Sequence, residues 1–192
     1  MTDLIPLYRC AVEEFGRRVH GVPAGAWSDP TPNDDWDVRA LVNHVVGENR
    51  WAPPLLAGST IEEVGERFDG DLLGDNPLDV WDQSAEEAVD AAARADLDAI
   101  VHLSFGDVPA SEYLWQLTAD AAIHAWDLAR ATGQDETLDA ALVAGVAEWF
   151  AGVEEMYRAA GAIGPAVEAA GGPQDVLLGR FGRDPSSCAA SR

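Results

Sequence analysis

Apolar side chains return every three or four residues over several long stretches of this chain, and that spacing commits it to packing helices against helices. In residues 3–20 the apolar positions are Leu4, Leu7, Tyr8, Ala11, Val12, Phe15 and Val19, and Gly21 with Pro23 ends the pattern. The segment AWSDPTPNDDWD is turn chemistry that delivers Asp37 as the N-cap of a second helix, expected through about Leu56, with Pro53 and Pro54 near its end. Gly58 to Gly74 reads as an acidic, glycine-spaced connection with room for one short helical turn. Asn76-Pro77 opens a third helix, carried by Leu78, Trp81, Ala85, Ala88, Val89 and Ala92 to about Ala95. AIVHLSFGDVPA is β-like and short, an extended connector into a fourth helix that runs from near Ala110 to Ala131 and stops at Gly133.

A fifth helix is expected from about Leu138 to Ala160. Beyond Ala160 the chain is rich in glycine and proline. The expectation is an all-α fold: a four-helix bundle over residues 1–160 with an additional helix, and a short C-terminal tail, 161–192, that packs on the bundle, is partly disordered and frays at Ser186–Arg192. No fixed-period repeat is visible.

The 192 residues are enough for one core that buries about 70% of the unfolded chain's surface, so neither disulfide nor structural metal is needed for stability. Net charge is −22, with 13 acidic residues against Arg67 and Arg94 between Glu62 and Asp98. Such a surface repels nucleic acid and anionic lipid, which excludes both as partners, and the acidic stretch itself reads as a solvated face. All 12 basic residues are arginine, so Schiff-base and general-base chemistry by lysine are excluded. Cys10 and Cys188 are isolated, without metal-binding or redox spacing, and the N-terminal residues form neither signal peptide nor membrane anchor. A cytoplasmic protein with reduced thiols is expected.

Against that background three residues stand out. Asp120 and His124 are four apart on a helix otherwise apolar at Leu117, Ala121, Ala122, Ile123 and Ala125, so they share one face about 5–6 Å apart at Cβ. A carboxylate buried there is costly unless paired with a cation or a metal. His44 sits among Leu41, Val42, Val45 and Val46 on the second helix. With Asp120 and His124 it makes a three-ligand set that leaves coordination positions open, as catalytic metals require. The competing reading is a purely structural hydrogen-bonded Asp–His network.

Glu48, four residues after His44, reads as a solvent-facing ion pair with Arg50 or Arg130, with fourth ligand or general base as the alternative. Asp127 reads as a structural partner of a ligating ring or of Arg39. His20 and His102 read as bystanders, His102 nearing the cavity only if the connector crosses it. Trp36, Trp51, Trp115 and Trp126 lie around the two histidine-bearing segments; most belong to the core and one or two wall a small-molecule pocket. No nucleotide-binding glycine motif or serine elbow is present.

Through Trp36-Asp37-Val38-Arg39 running into Asn43-His44-Val45-Val46-Gly47, and Asp120 followed by His124-Ala125-Trp126-Asp127-Leu128-Ala129-Arg130-Ala131-Thr132-Gly133, the chain resembles the DinB-like superfamily. It is most similar to the branch that includes mycothiol-dependent maleylpyruvate isomerase. The resemblance covers nearly all of residues 1–160 in helix order and spacing. It implies an up-down-down-up four-helix bundle that holds a divalent metal, zinc or nickel, through His44, Asp120 and His124. It further implies that the metal lowers the pKa of a low-molecular-weight thiol, whose thiolate attacks a small electrophile. The isomerase carries Glu where this chain has the shorter Asp120, and it has a sizeable C-terminal domain where about thirty residues come after Ala160 here.

The leading expectation is therefore a metal- and thiol-dependent transferase or isomerase with a small-molecule substrate. A non-catalytic metal- or ligand-binding bundle and a metal-dependent hydrolase are the alternatives, and a homodimer is an open option. With a net charge of −22, the electrophile is expected to be neutral, or to be met by an arginine such as Arg39 or Arg130.

Overall fold

The structure, a computed structural model, describes residues 3–33 and 35–187. The chain is mostly helical. The amphipathic stretches form α1 (Leu4–His20), α2 (Val38–Leu56), α4 (Pro77–Arg94) and α5 (Ala110–Thr132), with a short α3 (Ile61–Val64) between α2 and α4. These four long helices make the up-down-down-up bundle of the DinB-like fold: α1 packs on α5 and α4, and α2 packs on α4 and α5. α6 (Ala140–Ala159) lies along α5 and α1, and α7 (Pro173–Arg180) packs on α6.

The helix ends obey local chemistry. Asp37 caps α2, its carboxylate accepting from the Ala40 N–H at 2.8 Å. Thr60 and Glu63 close a reciprocal capping box that lets a single turn form at α3. Gly133 ends α5 in the left-handed conformation, φ +69°, which costs glycine nothing. Pro53 and Pro54 lie inside α2, in its last turn before Leu56.

α5 is buried on nearly every side, among Leu114, Leu117, Ala121, Ala122, Ile123, Ala125, Trp126 and Leu128. Each fully buried large apolar side chain contributes about 1.5–3 kcal/mol, so α5 is the axis on which the fold is organised. Close approach of α1 and α4 depends on Gly16, where a Cβ would come within 2.7 Å of the Trp81 Nε1.

Two elements differ from expectation. The connector after α4 is not simply extended: it folds back as an antiparallel hairpin of β1 (Ile100–Leu103) and β2 (Gly106–Pro109), pairing Val101 with Val108 and His102 with Asp107. Within the tail, α7 buries Leu177 and Leu178, and Asp175 accepts the Gly172 N–H at 3.2 Å to start it. Of the segment expected to fray, Ser186 and Ser187 are hydrogen-bonded to Asp184, and residues 188–192, Cys188 included, lie outside the described residues. Among the described residues, no helix is long and apolar enough to cross a membrane.

Candidate metal centre and its cavity

α2 carries His44 and α5 carries Asp120 and His124 to a common point. One ligand-type atom from each lies within 4.8 Å of the others. His44 Nε2 is 3.4 Å from Asp120 Oδ1 and 3.3 Å from Oδ2, and His124 Nε2 is 3.3 Å from Oδ1. The two imidazoles meet edge to face, centroids 5.2 Å apart, and the Trp36 ring packs against both at 4.6 and 5.5 Å.

Those separations are long for hydrogen bonds to a carboxylate, which settle near 2.7–2.9 Å. They do match the edge of a tetrahedron of metal–ligand bonds about 2.0–2.1 Å long, roughly 3.3 Å. Asp120 Oδ2 is buried and has no hydrogen-bond partner of normal geometry. A nitrogen, nitrogen and oxygen donor set with an unsatisfied carboxylate oxygen fits a divalent ion.

The charges interlock. Burial pushes the Asp120 carboxyl up, but the charge and hydrogen bond of His124, with those of His44, hold it well below the usual carboxylate range. Burial pulls the His124 ring down, and Asp120 and Asp127 more than reverse this, raising it to about 9. His124 Nδ1 lies 2.9 Å from Asp127 Oδ2, and Asp127, fully buried, is gripped by Arg183 through Nε at 3.0 Å and a terminal nitrogen at 2.6 Å. A neutral His124 therefore keeps its proton on Nδ1, donated to Asp127, and turns the Nε2 lone pair toward His44 and Asp120.

The three residues open into a cavity of about 840 Å³. Its aromatic wall includes Trp36, Tyr113, Trp149 and Phe150, with the exposed Phe105 of the hairpin at its edge. Glu112 fixes part of that wall by accepting from Trp149 Nε1 and the Tyr157 hydroxyl, both at 2.9 Å. Glu48 also lines it; burial, then the Asp120 charge, lift its carboxyl to about 7 against the pull of His44 and His124. The Tyr113 hydroxyl is buried without a partner, a condition that costs about 1–3 kcal/mol.

Among the neighbouring residues Glu48 departs from expectation, whereas Asp127, His20, His102 and the tryptophans largely follow it. Glu48 faces the cavity rather than solvent, because it repeats the His44 face one turn on; Arg130 instead pairs with Glu136 and stacks on Trp126. Asp127 partners the His124 ring, as expected, and its cation is Arg183 rather than Arg39, which pairs with Asp71 near the surface. His20 pairs with Asp82, and His102 with its hairpin partner Asp107, away from the cavity lining. Of the four tryptophans only Trp36 lines the cavity; Trp115 stacks on Trp149 and Trp51 meets Phe68. Tyr113, Trp149, Tyr157 and Arg183 were not expected there. Only Tyr113, on the Asp120 face of α5, had a periodic signal that could have revealed it.

Residues 8–129 match the model of the mycothiol maleylpyruvate isomerase N-terminal domain family. The chain belongs to that family. Two uncharacterized proteins of Mycobacterium tuberculosis, from strains CDC 1551 and H37Rv, are each 32% identical to it over 177 residues, covering 89% of this chain and 85% of theirs. The crystal structure of the mycothiol-dependent maleylpyruvate isomerase superposes with a TM-score of 0.62 at 19% identity, over 85% of this chain and 73% of the other. That of a histidine-to-alanine mutant of this isomerase gives 0.57 at 19% identity, over 73% and 65%. At this identity the likeness speaks for the fold. The stretch that matches the isomerase family holds His44, Asp120 and His124, whereas Trp149, Phe150, Tyr157 and Arg183 lie beyond it.

Proposed function

We propose that this protein is a metal- and thiol-dependent enzyme of the isomerase or transferase type, with His44, Asp120 and His124 holding a divalent ion, zinc or nickel, and a small electrophile as substrate. The observation that carries the reading is the unsatisfied Asp120 carboxylate held 3.3–3.4 Å from two imidazole nitrogens at the edge of a large cavity. Membership of the mycothiol maleylpyruvate isomerase family supports a thiol, mycothiol in type, as the second component.

A divalent ion bound there supplies a Lewis acid that makes a coordinated thiol acidic near neutral pH. The chain's own residues do the rest. Asp127, clamped by Arg183, holds the His124 ring in the tautomer that presents Nε2. Glu48, with its carboxyl near neutrality, is placed to accept the thiol proton and to return it when the carbon–sulfur bond breaks. Trp36 covers both imidazoles and excludes water from one side. Thiolate addition to an unsaturated carbon, rotation about the resulting single bond and expulsion of the thiolate isomerises the substrate; capture of a proton before expulsion leaves a thiol adduct.

The test is metal analysis followed by a thiol-addition assay. Protein purified without chelator should carry about one zinc or nickel per chain, and its cobalt-substituted form should develop a sulfur-to-metal charge-transfer band with a low-molecular-weight thiol. Cobalt bound without that band for any thiol would overturn the thiol-dependent reading and favour a hydrolase or a non-catalytic binding protein.

A further inference from the structure

One face of α5 carries Tyr113, Leu117, Asp120 and His124 at spacings of four, three and four residues. All four line the cavity, so a single polar and aromatic track runs along its floor. Tyr113 lies seven residues before Asp120, about 10 Å along the helix axis, and Glu48 approaches from α2. Tyr113 is 4% exposed and its hydroxyl has no hydrogen-bond partner. Glu48 exerts its charge on Tyr113, as it does on Tyr8 of α1, a residue that is equally buried but not part of the cavity lining.

Among the described residues that line the cavity Arg183 is the only arginine, and it is engaged by Asp127, fourteen residues and about 21 Å along α5 from Tyr113. Arg39 and Arg130, the other candidate cations, are paired away from the cavity. The Tyr113 end thus offers a hydroxyl donor and, among the described residues that line the cavity, no arginine to balance an anion there.

We propose that Tyr113 forms a second subsite of the cavity that takes an uncharged, oxygen-bearing end of the ligand, a carbonyl or amide, about two helical turns along α5 from Asp120. The phenol donates to that oxygen, and the ligand spans the cavity with its reactive end at the candidate metal centre. The inference rests on the proposed function for that reactive end only. It narrows the substrate class to uncharged electrophiles and neutral thiols.

Three thiol probes separate the possibilities: N-acetylcysteamine, with a neutral amide; 1-butanethiol, with no oxygen; and 3-mercaptopropionate, an anion. Their affinities are measured by ligand-observed NMR on the full chain as purified and after EDTA treatment. The parent should bind the amide about fivefold more tightly than butanethiol, the worth of one buried hydrogen bond. Tyr113→Phe should erase that preference while leaving butanethiol affinity unchanged, and Tyr8→Phe should preserve it. An absent preference in the parent, a preference that survives Tyr113→Phe, or tighter Tyr113-dependent binding of the anion would overturn the subsite. The metal reading is judged separately: it fails if EDTA shifts none of the three affinities, and in that case a Tyr113-dependent amide preference still establishes the subsite.

Discussion

The Arg18 cluster and the His44, Asp120 and His124 cluster of this bundle are built on opposite terms. Arg18, 3% exposed, donates to the carbonyl oxygen of Glu14 at 2.8 Å and to its carboxylate, then to the carbonyls of Asp135 at 3.1 Å and Thr137 at 2.8 Å. Gln134 returns a hydrogen bond to the Arg18 carbonyl at 2.9 Å. This cluster ties the α5–α6 connection to α1 with short bonds, and only the Arg18 Nε lacks a partner. The His44, Asp120 and His124 cluster is the reverse, with contacts of 3.3–3.4 Å around an unsatisfied carboxylate oxygen. Buried polar groups that serve only the fold are normally satisfied, so the loosely satisfied cluster is the one shaped for something else.

The sharpest way to break this comparison is to remove an imidazole from the loose cluster. His44→Ala or His124→Ala should lower metal content from about one ion per chain to near zero while the fold persists, as read by elemental analysis and circular dichroism. Full metal retention in both variants would return the cluster to a structural role.

The tight cluster should respond in stability instead. Arg18→Ala leaves Glu14 with only the exposed Arg17 as its ion-pair partner and removes the donors to the Asp135 and Thr137 carbonyls, so it should destabilise the fold by about 1–3 kcal/mol in denaturant titration. Metal stoichiometry should stay unchanged. Asp120→Ala should do the opposite: metal is lost, and the chelated protein loses far less stability than Arg18→Ala does, because the contacts removed are long ones.

How visible each cluster was in the sequence depends on where its residues come from. The α5 boundaries were legible because Gly133 and the extended residues before Ala110 are local signals, and the Asp120/His124 pair was legible because helical spacing alone puts both on one face. The hairpin was not, because its Ser104-Phe105 turn lacks the Asn-Gly or Asp-Gly signature and each strand has only four residues. Nor was α7, an eight-residue helix amid glycine and proline, stabilised by tertiary packing of Leu177 and Leu178 rather than by propensity. Arg183 reaches Asp127 across 56 residues of sequence, a contact no spacing rule finds. Glu48 is the instructive miss: its i+4 relation to His44 was available, and surface pairing was preferred for a carboxylate that the cavity accommodates.

Between the two extremes lies the Asp127–Arg183 support. Asp127→Asn keeps the size of the side chain but removes the charge that holds the His124 tautomer, and it should weaken zinc binding 10–100-fold by calorimetric titration. An unchanged affinity would show that His124 needs no help to present Nε2.

The chelated protein should also reveal the cluster through pH. The folded His124 ring is raised to about 9, above its unfolded value near 6.5, so its stabilising contribution is present in full below pH 6.5 and is lost as pH rises through 9. Denaturant titrations should therefore show the metal-free protein losing up to about 3 kcal/mol over that window. A flat profile in the chelated parent would mean that Asp120 and Asp127 do not hold a proton on the ring.

The smallest effect is expected where the ligand set changes only in length. In Asp120→Glu the carboxylate is kept and one methylene is added, as the resemblance to the isomerase family places Glu at this position. The gaps around Asp120 are wide, 3.3–3.4 Å to both imidazoles, and the cavity beside it is roomy enough for the longer chain to fold against its wall. The variant should hold one ion per chain with affinity within about tenfold of the parent, a difference of no more than about 1.4 kcal/mol. The tight cluster has no such tolerance: Glu14→Asp should shorten the reach to Arg18 and cost stability, because its bonds are already at contact distance. If Asp120→Glu lost the ion while Glu14→Asp were harmless, the loose cluster would be the stringent one, and the contrast drawn from bond lengths would be wrong.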